Sequence, residues 1–553
     1  MVDEKQRSRS IGIPAVQAKF GSHLLPPPDL GGEKENHPNQ DQGIERSRSY
    51  QSDLRSKASF SSQSPSMLGA IGVDPNALEL SRKNTEIVIR PMVRTPTVQR
   101  MFSKIEPGSL RGSIFTLSSS AIGAGVLSLP LVMKNTGLVL GGILCIVGAV
   151  LALLSMNMLV DTADVILFNR GGSGGRAISY SELVSQVLGP RWGVGLEVTM
   201  VVYCFGTIVG YLLVIGKAIG GLCEALEVEL PSEGFPIMLA ALFALPLTLF
   251  RDISYLALSS LLAVTAMIYV CLSITYRGTQ NGTLKDLPVP LFRFGSDFCS
   301  SATIVFFAYN CHVNIFSIYS SLHYPLVSRM KKVTQRAVGL EVALYILVAS
   351  SGYLMFHQDT AGNILLNFPA SDVLMNVGKA GVACALTASL PLCLHPAREN
   401  FYLLFFKFSA LFRVSDEKGK PLLSNSPAGS GTPPFGVSQR KAAEKQEASL
   451  LFHICVTLCM MGGALFLALK VPGVSVVFSF LGATACVIIC YALPIMMYVE
   501  VIEQRNMLSS RTCIMLQKIG LWTLLTVLIV IGAVSASDSL SQVIAMISVS
   551  NEK

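Results

Sequence analysis

Charge is scarce in this sequence. Asp, Glu, Lys and Arg make up 14% of 553 residues, 51% are apolar, and the mean hydropathy is +0.53. That balance excludes a soluble globular protein, which carries about a quarter charged residues. Chemistry is equally thin. The chain has no Walker phosphate loop, no nucleophile–base constellation, and no Cys/His spacing for zinc among its 13 cysteines and 7 histidines. The longest polar loop among the apolar stretches, 396–448, is too short and too low in complexity for a nucleotide-binding domain. An ATP-driven pump is thereby excluded, and an enzyme is not expected. Repeated rings of charge, which a pore needs, are also missing. The first hundred residues contain no apolar h-region, so no secretory signal peptide is expected. Rich in Ser, Pro and Gln, they hold too little apolar surface to offset the entropy of ordering. Segments such as 46–53 are candidates for phosphorylation, or simply solvated tail.

What the chain does have is eleven apolar stretches, near 112–133, 137–160, 193–221, 234–250, 255–276, 298–320, 337–356, 372–395, 449–469, 472–498 and 519–537. Each approaches the ~20 residues needed to cross a ~30 Å hydrocarbon core. The expected fold class is therefore an all-α, multi-pass membrane protein embedded in a lipid bilayer. Residues 1–110 form a disordered cytosolic tail and 111–537 the eleven-span domain. Within that domain 396–448 is a long cytosolic loop, and 538–553 is a short exterior or lumenal tail. Loop charge sets the orientation. The loops at 329–336, 398–445 and 505–518 are rich in Lys and Arg, whereas 222–233 carries Glu224, Glu227, Glu229 and Glu233 with no cation. The positive-inside bias places the N-terminus in the cytosol. The sequon Asn281-Gly282-Thr283 then falls in an outer loop. The net charge of +8 reflects this topology and implies no nucleic-acid partner. Cys223 and Cys299 both fall near outer span ends, where a disulfide would be permitted.

Two spans carry interruptions. In the first, Ser118-Ser119-Ser120-Ala121-Ile122-Gly123-Ala124-Gly125 reads as helix, break, helix. Loosened backbone at membrane depth is tolerated only where it lines a cavity or ligand. Such breaks mark the binding site of secondary transporters. In the sixth, Phe306-Phe307-Ala308-Tyr309-Asn310-Cys311-His312-Val313-Asn314 places two Asn and a His in an apolar segment, which is costly unless they face partners. His312 reads either as a packing histidine joining two helices or as a proton-coupling group. The eighth span contributes Thr387 and Ser389, hard oxygen ligands for a small cation or ordinary hydroxyls bonded to the preceding turn. Before the third span, 178–189 has helical apolar spacing and reads as a short interfacial helix or a plug on the inner side of the bundle.

These landmarks together resemble the amino acid/auxin permease family, which includes sodium-coupled neutral and vacuolar amino acid transporters. The resemblance covers roughly 110–535. It rests on Ser120-Ala-Ile-Gly-Ala-Gly-Val-Leu-Ser-Leu-Pro130 with Asn135-Thr136-Gly137; Ser179-Tyr180 with Glu182-Leu183 and Gly189-Pro190; and Cys311-His312 with Ile318-Tyr319. Asn363-Ile364-Leu365-Leu366-Asn367, Pro391, Pro396-Ala397-Arg398 and Gly482-Ala483 complete it. The resemblance implies a LeuT-type bundle of two inverted five-helix repeats with an eleventh helix appended. It implies that Ile122, Gly123, Ala124 and Gly125 receive a substrate carboxylate, and that Phe306, Phe307, Ala308 and Asn310 receive the ammonium group. Ser120, Thr387 and Ser389 would form a sodium site, with His312 as a further ion-coupling residue. Ser120 departs from the Asn typical of sodium-coupled members, which shifts weight toward a proton gradient or exchange.

The function so implied is secondary transport of amino acids, neutral or aromatic first and cationic second. The other reading is an amino-acid-sensing transporter that signals through the N-terminal tail. Na+ or H+ is the expected coupling ion and no other cofactor is expected. The plasma membrane or a vacuolar or lysosomal membrane would suit, and a monomer is the default.

Overall fold

The computed structural model describes residues 108–169, 178–249, 256–280, 289–416, 450–471, 473–505 and 510–551. The tail to residue 107, the sequon at Asn281 and the loop from 417 to 449 lie outside the described residues. Regular structure among the described residues is entirely helical. Among the described residues nine helices are long and apolar enough to cross a membrane, and ten when one bent pair is taken as a single span.

The first span is that pair. Helix α1 (Leu110–Ala121) starts where the Ser109 side chain accepts a hydrogen bond from the Gly112 amide. It ends because Ile122 and Gly123 leave helical geometry, at φ/ψ of −74/80° and −127/−151°. A 3₁₀ turn (Ala124–Ser128) and helix α2 (Leu129–Thr136) follow, bent by 48° from α1. Gly137, at φ +89°, then turns the chain, and a Cβ there would meet the Leu291 carbonyl at 2.7 Å. Only glycine fits on both counts.

The second span is α3 (Leu138–Asn169), followed by the short α4 (Tyr180–Val187). Ser179 caps α4 by accepting from the Glu182 amide. Tyr180, Leu183 and Val184 are buried against the bundle, so the segment is packed in rather than lying free on a surface. The third span is α5 (Pro190–Ala225). Helix α6 (Phe235–Leu249) stands at the expected fourth span, with 15 residues and Pro246 inside it. At 1.5 Å per residue these 15 described residues span about 22 Å. Helix α7 (Leu256–Gln280) is the fifth span.

The sixth span is broken as expected. Helix α8 (Phe298–Ala308) stops at Tyr309, a 3₁₀ turn covers His312–Asn314, and α9 (Ile315–Ser321) continues. Beyond it lie α10 (Val327–Phe356) and α11 (Val373–Asp416). Helix α11 runs on through Pro391 and Pro396, where a loop was expected to begin. Each proline lacks the amide that would bond the carbonyl four residues back, at Thr387 and Leu392, yet the helix continues, with the Asn400 side chain donating to the Pro396 carbonyl at 2.8 Å. The chain then forms α12 (Leu450–Lys470), α13 (Val474–Leu481), a π-helical stretch (Gly482–Ala492), α14 (Leu493–Arg505) and α15 (Arg511–Asn551). The last helix thus extends through most of the expected C-terminal tail.

Burial separates centre from periphery. In the sixth span 83% of the apolar window is buried within the bundle, against 22% in α15. The outer faces of α3 and α15 expose Ile146, Val150, Leu154, Ile529 and Val530, as lipid contact requires. Cys223 and Cys299 are both free thiols. Cys299 instead has Asp538 of α15 as an electrostatic neighbour, which corrects the disulfide considered from sequence.

Candidate functional site at two helix breaks

The two interruptions meet inside the bundle. A Cβ added at Gly125 would lie 3.1 Å from the Phe307 ring and 3.3 Å from the Ala308 Cα, so the first break packs directly on the end of α8. At Gly123 an added Cβ would lie 2.7 Å from the Tyr211 hydroxyl of α5. Gly123 has an extended backbone open to any residue, so its constraint is space rather than torsion. Ile122, Gly123, Ala124, Gly125, Phe306, Phe307, Ala308 and Asn310 are all buried.

The backbone groups differ in availability. The Ile122 amide donates to Ser118 O and the Gly123 amide to Ala121 O, both at 2.8 Å. The Ala124 and Gly125 amides open the following turn, where no intrahelical acceptor exists. Across from them the Ala308 carbonyl accepts the Tyr345 hydroxyl of α10 at 2.8 Å. A carbonyl has a second lone pair, so it can still accept from a ligand.

Aromatic rings wall the junction. Phe307 stacks on Phe478 at 4.3 Å between centroids, Phe306 meets Tyr491 edge-on at 5.1 Å, and Tyr309 packs on Tyr345 at 4.9 Å. Tyr491 belongs to the π-helical stretch, whose Cys486 Sγ also accepts from Asn310 Nδ2 at 3.3 Å. Widened turns of this kind recur at functional sites.

Buried polar atoms without partners gather here. They include Ser118 Oγ, Tyr309 Oη, Asn310 Oδ1, His312 Nδ1, Tyr491 Oη and both carboxylate oxygens of Glu341. An unsatisfied buried polar atom costs roughly 1–3 kcal/mol, so a concentration of them calls for water, an ion or a ligand.

One side of this junction is pinned. Ser128 Oγ donates to Gly362 O at 2.7 Å, Lys134 Nζ to Thr360 O at 3.1 Å, and Asn135 Nδ2 to Ser301 Oγ at 3.3 Å. The loop between α10 and α11 therefore sits on the α2 half of the first span.

The model of the transmembrane amino acid transporter family matches residues 106–538, most of the chain. The chain belongs to that family. A Toxoplasma gondii protein named as an amino acid transporter is 28% identical over 56% of this chain, and the match spans only 42% of that protein's length. Vacuolar amino acid transporter 6 of Saccharomyces cerevisiae is 24% identical over 70% of this chain and 88% of its own length. Among solved structures, the nucleobase-cation-symport-1 family transporter Mhp1, closed with bromovinylhydantoin bound, aligns over 80% of this chain and 92% of its own at 11% identity, with a TM-score of 0.48.

Within this transporter-family chain the hydroxyls of the candidate ion ligands are each engaged locally. Ser120 Oγ donates to Leu117 O at 2.7 Å, Thr387 to Ala383 O at 2.7 Å and Ser389 to Ala385 O at 2.8 Å. Each hydroxyl is thus bonded within its own helix. Helix α1 packs on α10 and α7, whereas α11 packs on α5, α7 and α6.

His312 is fully buried, with Nε2 2.7 Å from Ser155 Oγ of α3. Ser155 also donates to Ala152 O at 3.0 Å. One hydroxyl hydrogen cannot serve both at once, so the tautomer of His312 sets which bond Ser155 makes, and Nδ1 has no partner.

Sequence reasoning did not single out Tyr211, Tyr345, Phe478 or Tyr491 for this site. Each is an aromatic in an apolar span, a pattern shared with ordinary core packing. Only the crossing of distant helices identifies them.

Proposed function

We propose that the chain is a secondary active transporter of amino acids whose substrate binds between the two helix breaks. The observation that carries this reading is the packing of Gly125 on Phe307 and Ala308. It sets available amides at Ala124 and Gly125 against carbonyls at the end of α8. A carboxylate would dock at the amides, at the start of the Ala124–Thr136 half-span. An ammonium group would dock at the carbonyls around Phe306, Phe307 and Ala308, with Asn310 Oδ1 as a further acceptor. Breaks in the first and sixth spans occupy matching places in two halves, which supports the LeuT-type inverted repeat.

The rings that border the two breaks are Phe306, Phe307, Phe478 and Tyr491. That favours neutral or aromatic amino acids, with cationic ones second. The basic loops favour a cytosolic N-terminus. The driving force is a proton or sodium gradient, or exchange. Uptake of labelled phenylalanine, leucine, glutamine and lysine into proteoliposomes, with and without sodium and at two pH values, tests this. Saturable flux of at least one is expected, and no flux of any under every gradient refutes it.

A further inference from the structure

Glu341 is the group this site does not explain. It lies midway along α10, has zero solvent exposure, and neither carboxylate oxygen has a hydrogen-bond partner. An ionised carboxylate so placed, with neither donor nor cation, is among the costliest states a protein can hold, and such a group takes up a proton instead.

Its surroundings are titratable but uncharged. Tyr309 and Cys311 of the sixth-span break and Tyr345 of its own helix are its electrostatic neighbours. The charges on the packed helices are engaged or exposed elsewhere. Lys331 pairs with Asp161 of α3, Arg277 of α7 with Asp372, and Lys134 of α2 bonds Thr360 O. Asp164 of α3 and, on α10 itself, Lys332 and Arg336 are exposed, and Arg329 lies over the Tyr324 ring. Arg111 stands at the opening turn of α1, two turns before Ser118.

The position links this carboxyl to the binding site. Tyr345 is one turn along α10 on the same face, and its hydroxyl holds the Ala308 carbonyl. Movement of α10 that wets Glu341 would therefore also disturb the α8 end of the site.

We propose that Glu341 is the proton-binding carboxyl of the transport cycle. It is neutral in the arrangement seen here. It ionises when α10 and the sixth-span break part to admit water. One proton binds from the acidic side and is released to water on the other, with no change in electrons. This rests on the secondary-transport reading above and names its coupling ion.

The full chain in proteoliposomes tests it, with labelled leucine and phenylalanine as probes. Exchange at equal pH is measured beside uphill accumulation under an inward gradient of two pH units. One proton per zwitterion sets a ceiling of about 100-fold accumulation, since 1.4 kcal/mol corresponds to tenfold. Wild type is expected to accumulate well above equality. Glu341→Gln, which mimics the neutral acid, is expected to retain measurable exchange of both probes but to fall to equal concentrations. Glu341→Asp should accumulate with a displaced pH midpoint. That measurement decides the matter if the Gln variant fails to fold, and an unmoved midpoint overturns the proposal.

Other outcomes also overturn it: accumulation by Glu341→Gln equal to wild type, or wild-type accumulation that does not rise above equality under the pH gradient. So does loss of the gradient response in His312→Asn with its retention in Glu341→Gln. Absence of any wild-type exchange refutes the transport reading itself, a distinguishable result.

Discussion

Replacing Gly123 by Ala puts a methyl 2.7 Å from the Tyr211 hydroxyl oxygen, while the next nearest atoms, Tyr211 Cζ and Cε1, stand at 3.6 and 3.7 Å. The clash is thus with one oxygen. Reaching ordinary contact requires a shift of about 0.7 Å in a close-packed interior. Overpacking of this kind costs about 1–3 kcal/mol. If the strain falls on the binding-competent arrangement, exchange drops roughly five- to hundredfold. Tyr211→Phe removes that oxygen and leaves the ring, so the new methyl meets carbon at normal distance. By itself Tyr211→Phe forfeits a side-chain bond to the Cys393 thiol, a weak partner costing at most about 1 kcal/mol. The double variant should recover most of the lost exchange, with a coupling energy of at least about 1 kcal/mol. Initial exchange rates and thermal stability of the four proteins in a cycle give that number. Full activity in Gly123→Ala, or failure of Tyr211→Phe to restore it, would refute the packing of the first break on α5.

Further outcomes follow from other contacts. Tyr345→Phe removes the bond to the Ala308 carbonyl and is expected to cost about 0.5–1.5 kcal/mol in thermal unfolding, so an unchanged melting temperature contradicts it. Gly482→Ala should gain about 1 kcal/mol from helix propensity alone. Its Cβ would instead fall on the Thr303 carbonyl, so net destabilisation of about 1–3 kcal/mol is expected, and a stabilised variant would overturn the α8 packing. Asp372, in the loop before α11, is raised by burial. The Arg277 guanidinium at 2.7 Å and the amides of Met375 and Leu374 outweigh this and hold its carboxyl below the usual range. A depressed pKa stabilises above the unfolded value of about 3.9 and is lost as pH falls through the folded one. Asp372→Asn should therefore lower the melting temperature alike at pH 7 and pH 5, with a difference that vanishes in stronger acid.

Nine or ten of the eleven expected spans, a glycine-loosened first span and an Asn- and His-bearing sixth could be read directly, because bilayer thickness and backbone satisfaction constrain sequence locally. The helix breaks at Ile122–Gly123 and Tyr309–Cys311 follow from residue identity alone. Helix ends followed less well. Helix α11 passes two prolines that read as terminators, and α15 runs past its expected end into the expected tail, because packing against neighbouring helices can sustain a helix that sequence would end.

Residue order therefore determined that this chain crosses a membrane repeatedly and where its backbone loosens, since both depend on contacts within a few turns. Only the tertiary structure decided that the two loosened points touch and which rings surround them. It also decided that Ser120, Thr387 and Ser389 turn to their own helices, and that Glu341 is shut away without a partner. Those facts depend on which faces of distant helices cross, and helix crossing is a property of the packed bundle that no local window contains.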